Sequence, residues 1–239
     1  MNRRTMGAIG SIAAMAVAAA WAIAGPNDDL GTRPPDQRPA LALLTSLPLV
    51  FGESFGLESG GSATLSRLQQ RYSVKPIGIA DAASLTGQRL LLMAHPRAQP
   101  AEVLVELDDW VRGGGRLLLL ADPRLDWPSE RPLGDRLRPA PAFADTGLLA
   151  HWGLQLQGPS ADGPSDAGNG RIEVRTSSPG QLKSQACQLA GDGFVARCKI
   201  GKGKVTVVAD ADFLNVESDA EGSRNLDLMV DELARLESR

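Results

Sequence analysis

Cysteine and histidine are scarce in this chain of 239 residues, which contains two of each. The cysteines, Cys187 and Cys198, have no histidine near them in the sequence, so they do not supply the four ligands of a structural zinc site. An excess of basic charge is also lacking, since the formal net charge is −3 and no basic footprint for nucleic acid is present. The sequence therefore argues against a zinc domain and a nucleic-acid-binding domain, and it indicates no cofactor.

The most regular stretch has neither a nucleophile nor a phosphate-binding loop at its strand ends. Two leucine-rich runs, 89–94 and 116–121, flank a segment with helical periodicity. A strand, a helix and a strand so close in sequence form a right-handed crossover in a parallel sheet. The runs show no polar alternation, which is typical of strands that are buried on both faces. The pattern predicts a doubly wound, mostly parallel α/β sheet.

The crossover helix is predicted to begin at Pro100, whose missing N–H costs nothing in a first turn. Its apolar residues, spaced by three and four positions, would face the sheet: Val103, Leu104, Leu107, Trp110 and Val111. Gly113 occupies the position of a left-handed C-terminal cap. Because the triple glycine ends a helix and precedes a strand, it is not a dinucleotide-binding fingerprint, which has the opposite order.

Residues 1–24 have the pattern of an export segment. Arg3 and Arg4 precede an uncharged, alanine-rich run that ends in Ala-Ile-Ala before Gly25. The run suits signal cleavage and is also about long enough to span a bilayer, so a signal peptide and an uncleaved membrane anchor are both open. The positive-inside rule places the remaining chain on the periplasmic side. Residues 25–39 predict a proline-rich tether, and residues 40–239 predict one α/β domain.

The two cysteines bracket a predicted β-hairpin. Segments 184–190 and 195–200 flank a glycine-rich turn, and a two-residue turn at Asp192-Gly193 places Cys187 directly opposite Cys198. A disulfide between them is then within reach in an oxidising compartment. This register puts the pair at a hydrogen-bonded position, where the strands lie farther apart, so a slip or a bulge is an alternative.

Further elements are predicted on both sides of the crossover. Strands are expected at 40–47, 74–80, 153–156 and 204–209, and helices from a cap at Ser62 to Tyr72, at 146–152 and at 225–236. Residues 122–145 are rich in proline and arginine and predict a long excursion from the sheet. Residues 158–170 are rich in glycine, serine, aspartate and proline and predict a mobile loop.

A ligand-binding pocket is predicted beyond the carboxyl ends of the parallel strands, where open α/β sheets bind their ligands. The polar residues expected at these ends are Thr45, Ser46, His95, Asp122, Asp210 and Asp212. Two interpretations of the three aspartates are open. With His95 they could bind a hard or borderline cation, or they cap helices and turns, which is the commoner role of aspartate after a strand.

No catalytic residue is predicted. A Cys–His hydrolase on this kind of sheet needs a cysteine at a strand-to-helix elbow, whereas both cysteines lie in the hairpin. The excursion carries four arginines that could dock a phosphate-bearing or acidic partner: Arg124, Arg131, Arg136 and Arg138. Such arginines are more often solvated or paired with nearby acids, here Asp126, Glu130 and Asp135.

The order of motifs resembles a known family. The motifs are DxWVRGGG, LLLLADP, a short helix ending in HWGL, GKGKVTVVADADFL, and a last helix that begins near Asn225. Over roughly residues 40–236 this order is similar to the soluble domain of the "ABC-type uncharacterized transport system" auxiliary proteins, which include gliding-motility-associated ABC transporter components. More distantly, it is similar to the class I glutamine-amidotransferase-like superfamily.

The resemblance implies a flavodoxin-like, class I glutamine-amidotransferase-like fold, here with an added β-hairpin. It also implies a non-enzymatic periplasmic auxiliary component that is tethered to the inner membrane. Its partners would be ABC permease and ATPase subunits, and it would act by binding a protein or a ligand. The alternative is a periplasmic hydrolase that uses the carboxylates and His95 at the strand ends, with or without a metal.

Overall fold

A computed structural model describes residues 30–51, 61–159, 162–216 and 220–238. The predicted export segment and the first residues of the predicted tether lie outside the described part of the chain. Among the described residues, no helix combines the length and the apolar character needed to cross a membrane.

Eleven strands and five α-helices make up the described chain. In chain order the strands are β1 (Ala40–Thr45), β2 (Ser73–Pro76), β3 (Leu90–Ala94), β4 (Arg116–Leu120), β5 (Leu154–Gln157), β6 (Pro164–Gly168), β7 (Glu173–Ser177), β8 (Gln181–Ser184), β9 (Gln188–Ala190), β10 (Val195–Ile200) and β11 (Gly203–Val208). The helices are α1 (Ala63–Gln69), α2 (Ala82–Leu85), α3 (Ala101–Arg112), α4 (Leu148–His151) and α5 (Ala220–Glu237). Short 3₁₀ turns cover Pro35–Gln37 and Asp212–Leu214.

A seven-stranded sheet has the order β2-β1-β3-β4-β11-β10-β9. The first five strands in this order are parallel, and β10 and β9 add an antiparallel hairpin at the far edge. The prediction of a doubly wound, mostly parallel sheet with an added hairpin is confirmed. The chain passes from β2 across β1 to β3, so the direction of winding reverses beside β1.

Two hydrophobic layers cover the two faces of this sheet. Leu92 and Leu118 point to the layer formed by α1 and α5, while Leu91 and Leu117 point to the layer formed by α2, α3 and α4. All five residues of β3 are buried. The leucine runs have no polar alternation because each successive side chain enters one core or the other.

The crossover helix matches its prediction except at its end. Pro100 is the N-cap of α3. Gly113 has φ −70°, a right-handed conformation, and its amide donates to the carbonyl of Asp109. The left-handed residue is Gly114, with φ 120°. The prediction of a left-handed cap at Gly113 is therefore wrong, because the helical hydrogen bonding continues one residue further.

The predicted mobile loop at 158–170 is also wrong, because β6 lies within it and pairs with β7. This β6–β7 hairpin is attached to α5. Asn225 accepts from the amide of Arg175 at 3.0 Å and donates to its carbonyl at 2.7 Å. The Asn169 amide donates to Asp231 at 2.8 Å and to Glu232 at 2.7 Å. Distant polar contacts order this segment, and local sequence does not reveal them.

Asp231 and Glu232 are fully buried acids on α5. Arg171 and Arg235 pair with Asp231, and Arg197 pairs with Glu232. Since an unpaired buried charge is costly, these arginines allow both carboxylates to remain between the helix, the β6–β7 hairpin and the sheet.

The cysteine register is confirmed, and Cys187 forms a disulfide with Cys198. The segment predicted as one strand at 184–190 is divided, because β8 leaves the hairpin and pairs with β5 in a separate sheet. The amide of Cys187 donates to Ser184 Oγ at 3.0 Å instead of joining the ladder, so the Cα atoms approach to 4.6 Å. A cross-link over 11 residues stabilises the fold by about 3 kcal/mol in the chain-entropy account.

Residues 30–39, which fall within the predicted tether, contact the domain. The amide of Arg33 donates to the carbonyl of Gln70 at 2.8 Å, and its side chain pairs with Glu237 at 2.9 Å. The Arg71 side chain donates to the carbonyl of Gly31 at 2.7 Å. The chain therefore enters β1 along the amino-terminal edge of the sheet.

Gly203, the first residue of β11, packs closely against the backbone at the end of α3, and a substitution there tests this packing. A Cβ at this position would lie 2.0 Å from the carbonyl oxygen of Val111 and 2.4 Å from that of Gly115. Both are backbone atoms, which cannot turn aside as a flexible side chain can. Gly203→Ala should therefore lower the free energy of unfolding by about 1–3 kcal/mol. Urea unfolding measures this change. Gly78→Ala is the control, since a Cβ there meets nothing within 4 Å, and equal effects of the two variants would contradict the packing described.

Candidate functional site

The six residues predicted to line one pocket lie at the carboxyl edge of the sheet in separate places. One carboxylate oxygen from each of Asp122, Asp210 and Asp212 lies within 4.8 Å of the other two. His95 does not belong to this group. Thr45 and Ser46 line a different feature, a groove beyond β1. We refer to the three aspartates as the acidic cluster.

Asp122 joins the loops that follow β4 and β11. Its Oδ1 accepts from the amide of Arg124 at 2.8 Å, which forms a turn at Asp122-Pro123. Its Oδ2 accepts from the amide of Ala211 at 2.9 Å. Leu120 pairs with Val208 in the parallel ladder, so Asp122 and Asp210 both lie two residues beyond the same rung. This register brings their side chains together.

Asp210 and Asp212 make further contacts of the capping type. Asp210 Oδ1 accepts from Thr176 Oγ1 at 2.6 Å and from the amide of Phe213 at 3.1 Å. Both oxygens of Asp212 accept from the amide of Asp126, at 3.0 and 2.9 Å. Asp210 thus accepts from the amide three residues further on, as a capping residue does, whereas Asp212 holds the excursion after β4.

One atom of the acidic cluster has no hydrogen-bond partner. Asp210 is fully buried, and its Oδ2 makes no hydrogen bond. Burial raises the pKa of Asp122 to about 6. Burial, with added repulsion from Asp122, raises the pKa of Asp212 to about 7. The same two causes raise the pKa of Asp210 well above its usual range, so this edge favours protonated carboxyl groups or a bound positive charge.

His95 anchors the excursion after β4. It is fully buried and has φ 45°, a left-handed conformation that is uncommon for residues other than glycine. Its Nε2 lies 2.9 Å from the carbonyl oxygen of Ala140, and a carbonyl only accepts, so Nε2 carries the proton. Nδ1 has no partner. Burial lowers the pKa of His95, which favours the neutral ring.

Thr45 and Ser46 hold neighbouring strand ends together. Thr45 Oγ1 donates to the carbonyl of Ala94 at 2.8 Å and accepts from the amide of Leu47 at 2.9 Å. Ser46 Oγ donates to the carbonyl of His95 at 2.5 Å. Both hydroxyl groups therefore have structural partners, although the two residues also line the groove.

The groove has a volume of about 490 Å³ and lies where the winding of the sheet reverses, beyond the ends of β2, β1 and β3. Its lining is mainly apolar and includes Leu47, Phe51, Ile77 and Leu137. The basic residues that line it are Arg97, Arg131 and Arg136. Arg131 and Arg136 belong to the basic set identified in the sequence, whereas Arg97 and Phe51 were not predicted.

The other two arginines of the predicted basic set have partners, but these are not the acids named from the sequence. Arg124 pairs with Asp162. Arg138 donates to the backbone carbonyls of Ser129 and Arg131. Arg97 in turn donates to the carbonyl of Arg138 at 3.1 Å, which connects the end of β3 to the excursion.

In a comparison with protein families, residues 58–226 match the domain of unknown function DUF4350. The chain belongs to the DUF4350 family. The match includes Asp122, Asp210 and His95, but it excludes Thr45 and Ser46. Among the curated proteins, none matches this DUF4350 chain in sequence.

Solved structures share the fold of this DUF4350 domain. Cytoplasmic protein STM3548 from Salmonella typhimurium has a TM-score of 0.52 at 10% identity, covering 82% of this chain and 98% of that one. The domain titled "mmIFT52 N-terminal domain" has a TM-score of 0.51 at 15% identity, with coverage of 84% and 99%. Exo-beta-1,4-mannosidase Op5Man5 from Opitutaceae bacterium strain TAV5 has a TM-score of 0.50 at 13% identity, with coverage of 82% and 36%.

At such identities these likenesses show the fold alone, which resembles class I glutamine-amidotransferase-like domains. The DUF4350 chain spans 36% of the length of the mannosidase. The activity of that enzyme is therefore not transferred to this domain.

The raised pKa values of the acidic cluster predict how the stability of the DUF4350 domain depends on pH. Above about pH 4 the unfolded chain releases protons that the folded carboxyl groups retain, so the free energy of unfolding falls as the pH rises toward 7. Each retained proton contributes a slope of about 1.4 kcal/mol per pH unit. His95 acts oppositely, because its lowered pKa makes the unfolded chain bind more protons below about pH 6.5.

Asp210→Asn isolates the acidic contribution. The amide oxygen of asparagine still accepts from Thr176 and Phe213, but the titrating carboxyl group is gone. The decline in stability between pH 5 and pH 7 should become shallower by up to the slope of one proton, as measured by urea unfolding at pH 5, 6 and 7. Asp166→Asn, at an exposed site, should leave the slope unchanged. Identical slopes for Asp210→Asn and wild type would show that Asp210 retains no proton.

Proposed function

We propose that this DUF4350 domain is a non-enzymatic, membrane-tethered auxiliary component of an ABC-type transport system on the periplasmic side of the inner membrane. It acts by binding a protein or a ligand. The observation that supports this proposal most directly is how the strand-end polar groups are used. Asp122 and Asp212 accept backbone amides, and His95, Thr45 and Ser46 bond to carbonyls.

Groups used in this way position loops, and a serine or threonine that donates to a carbonyl has no adjacent base to activate it. Nucleophilic catalysis requires a nucleophile and a base within hydrogen-bond reach. Neither hydroxyl group at the β1 end has a histidine ring or a carboxylate as a partner among the described contacts. The arrangement supports binding more than group transfer.

The proposed compartment is supported by the disulfide, which is compatible with an oxidising environment, and by the export pattern of residues 1–24. The transport partners come from the motif resemblance, which includes the crossover and the β11 segment. The entry of the chain along the amino-terminal edge of the sheet leaves the opposite edge, with the groove, remote from that attachment.

Affinity purification of the tagged full-length chain from its native membranes tests the proposal. In mild detergent, mass spectrometry should identify an ABC permease and an ATPase in amounts comparable to the tagged chain. A second version, in which a cleavable export signal replaces residues 1–24, should be released from the membrane and bind the same subunits more weakly. Recovery of the full-length chain without transporter subunits would contradict the auxiliary role.

One observation favours a second candidate, a periplasmic metal-dependent hydrolase. One oxygen from each aspartate of the acidic cluster lies within 4.8 Å of the other two, a spacing compatible with ligands of one hard cation such as Ca²⁺. Asp210 Oδ2 has no other partner. Such a cation would act as a Lewis acid or activate a water molecule.

Cation titration distinguishes the two candidates. Under the auxiliary proposal, millimolar Ca²⁺, Mg²⁺ or Mn²⁺ should leave the thermal midpoint of the full-length chain unchanged. A metal-dependent site predicts stabilisation by roughly 2.7 kcal/mol at a cation concentration 100 times the dissociation constant. Asp212→Asn should abolish that stabilisation, while Asp166→Asn should retain it. A cation-dependent rise that follows this pattern would favour the hydrolase.

A further inference from the structure

The groove beyond β1 combines an apolar wall with a basic rim. We propose that it binds a single-chain amphiphile: a molecule with one anionic headgroup, carboxylate or phosphate, on an apolar chain. The inference rests on the proposed function, because it specifies the class of ligand that the binding module would take. Its experiment uses no transporter subunit, so the two proposals can fail separately.

Exposed apolar surface supports the apolar half of this ligand. Phe51 is 79% exposed and Leu137 is 60% exposed, and both line the groove. Leu47 and Leu43 form buried parts of the same wall. Exposed apolar side chains next to a concave wall mark binding surfaces, and about 490 Å³ lies within the usual range for small-molecule sites.

The positive charge of the groove supports an anionic headgroup on the proposed ligand. Arg97, Arg131 and Arg136 line the groove, and no acidic residue is among its described lining residues. Asp135 lies nearby and pairs with Arg131 at 3.9 Å. Arg97 and Arg136 are exposed, and a guanidinium group presents donors that match the oxygens of a carboxylate or a phosphate. A headgroup at this rim would therefore meet two to three positive charges.

Position supports a binding role as well. The groove extends from the end of β2 across the end of β1 to the chain after β3, and it therefore includes the place between β1 and β3 where the winding of the sheet reverses. This crevice is the general ligand site of open α/β sheets, because the loops on its two sides diverge. Arg97 lies in the chain that follows β3, and Leu47 lies in the chain that follows β1, so the two sides of the reversal supply the rim and the wall.

Photo-crosslinking locates the ligand. The full-length chain is held in nanodiscs of phosphatidylcholine, whose headgroup has no net charge, and is labelled with a decanoate that carries a diazirine. Mass spectrometry should find the label on peptides that contain Phe51 or Leu137. Octanoate and octyl phosphate should both compete, and the stronger competitor identifies the preferred headgroup. Octyl glucoside, acetate and inorganic phosphate should compete at least about tenfold more weakly.

Paired variants test the two halves of the groove. Arg136→Glu and Arg97→Glu should each weaken labelling about tenfold or more, while Arg89→Glu should not, because Arg89 is exposed directly before β3, at the opposite edge of the sheet. Phe51→Ser should weaken labelling, and Leu133→Ser, at a residue that is 87% exposed and outside the groove, should not. The unfolding midpoints of all variants are compared to confirm that each is folded.

Three results would overturn the inference: label outside the groove, competition by octyl glucoside equal to that by octanoate, or competition by acetate or inorganic phosphate equal to that by octanoate. Unchanged labelling in both arginine variants would overturn it as well. Loss of groove labelling with transporter subunits still recovered would reject the ligand class and leave the auxiliary role intact. Specific labelling of the groove without recovery of those subunits would support the ligand class and reject the auxiliary role.

Discussion

The parallel pairing of β4 with β11 is the contact on which the rest of the carboxyl edge depends. These strands are neighbours in the sheet, although 82 residues lie between Leu120 and Gly203, and their register places Leu120 opposite Val208. Asp122 and Asp210 are then side by side, and Asp122 reaches the amide of Ala211. From this pair the contacts extend to Thr176 in the β6–β7 hairpin and, through Asp212, to the excursion at Asp126. One ladder thereby positions three loops.

Gathering three carboxyl groups in a buried place costs free energy if all are ionised, since burial and mutual repulsion act together. The backbone amides reduce this cost for Asp122 and Asp212, but they leave Asp210 Oδ2 without a donor. A proton on one carboxyl group removes one of these charges and turns that group into a hydrogen-bond donor. Hydrogen bonds and protonation therefore account for the acidic cluster as a network that holds loops, with no need for a bound ion. The alternative, a cation site, depends on the unpartnered Asp210 Oδ2.

The fold was predictable from the sequence to the extent that its elements are local and apolar. The leucine runs of β3 and β4, the α3 periodicity and the Asp192-Gly193 turn each carry their signal within a few residues, so the parallel sheet and the cysteine register followed. The β6–β7 hairpin was not predictable, because its order comes from Asn169 and Asn225 bonding with α5 across the molecule. For the same reason the sequence named the polar strand ends correctly but could not show that Thr45 and Asp122 belong to different features.

That separation has a chemical consequence. The carboxyl edge has opposite character at its two ends: the acidic cluster lies beyond β4 and β11, and the arginine-lined groove lies beyond β1. The excursion spans both, since Asp126 is held by Asp212 at one end and Arg136 with Leu137 lines the groove at the other. His95 holds the chain just beyond the groove residues, at Ala140. The excursion after β4 is therefore one continuous segment that is held by the acidic cluster at one end and supplies part of the groove wall at the other.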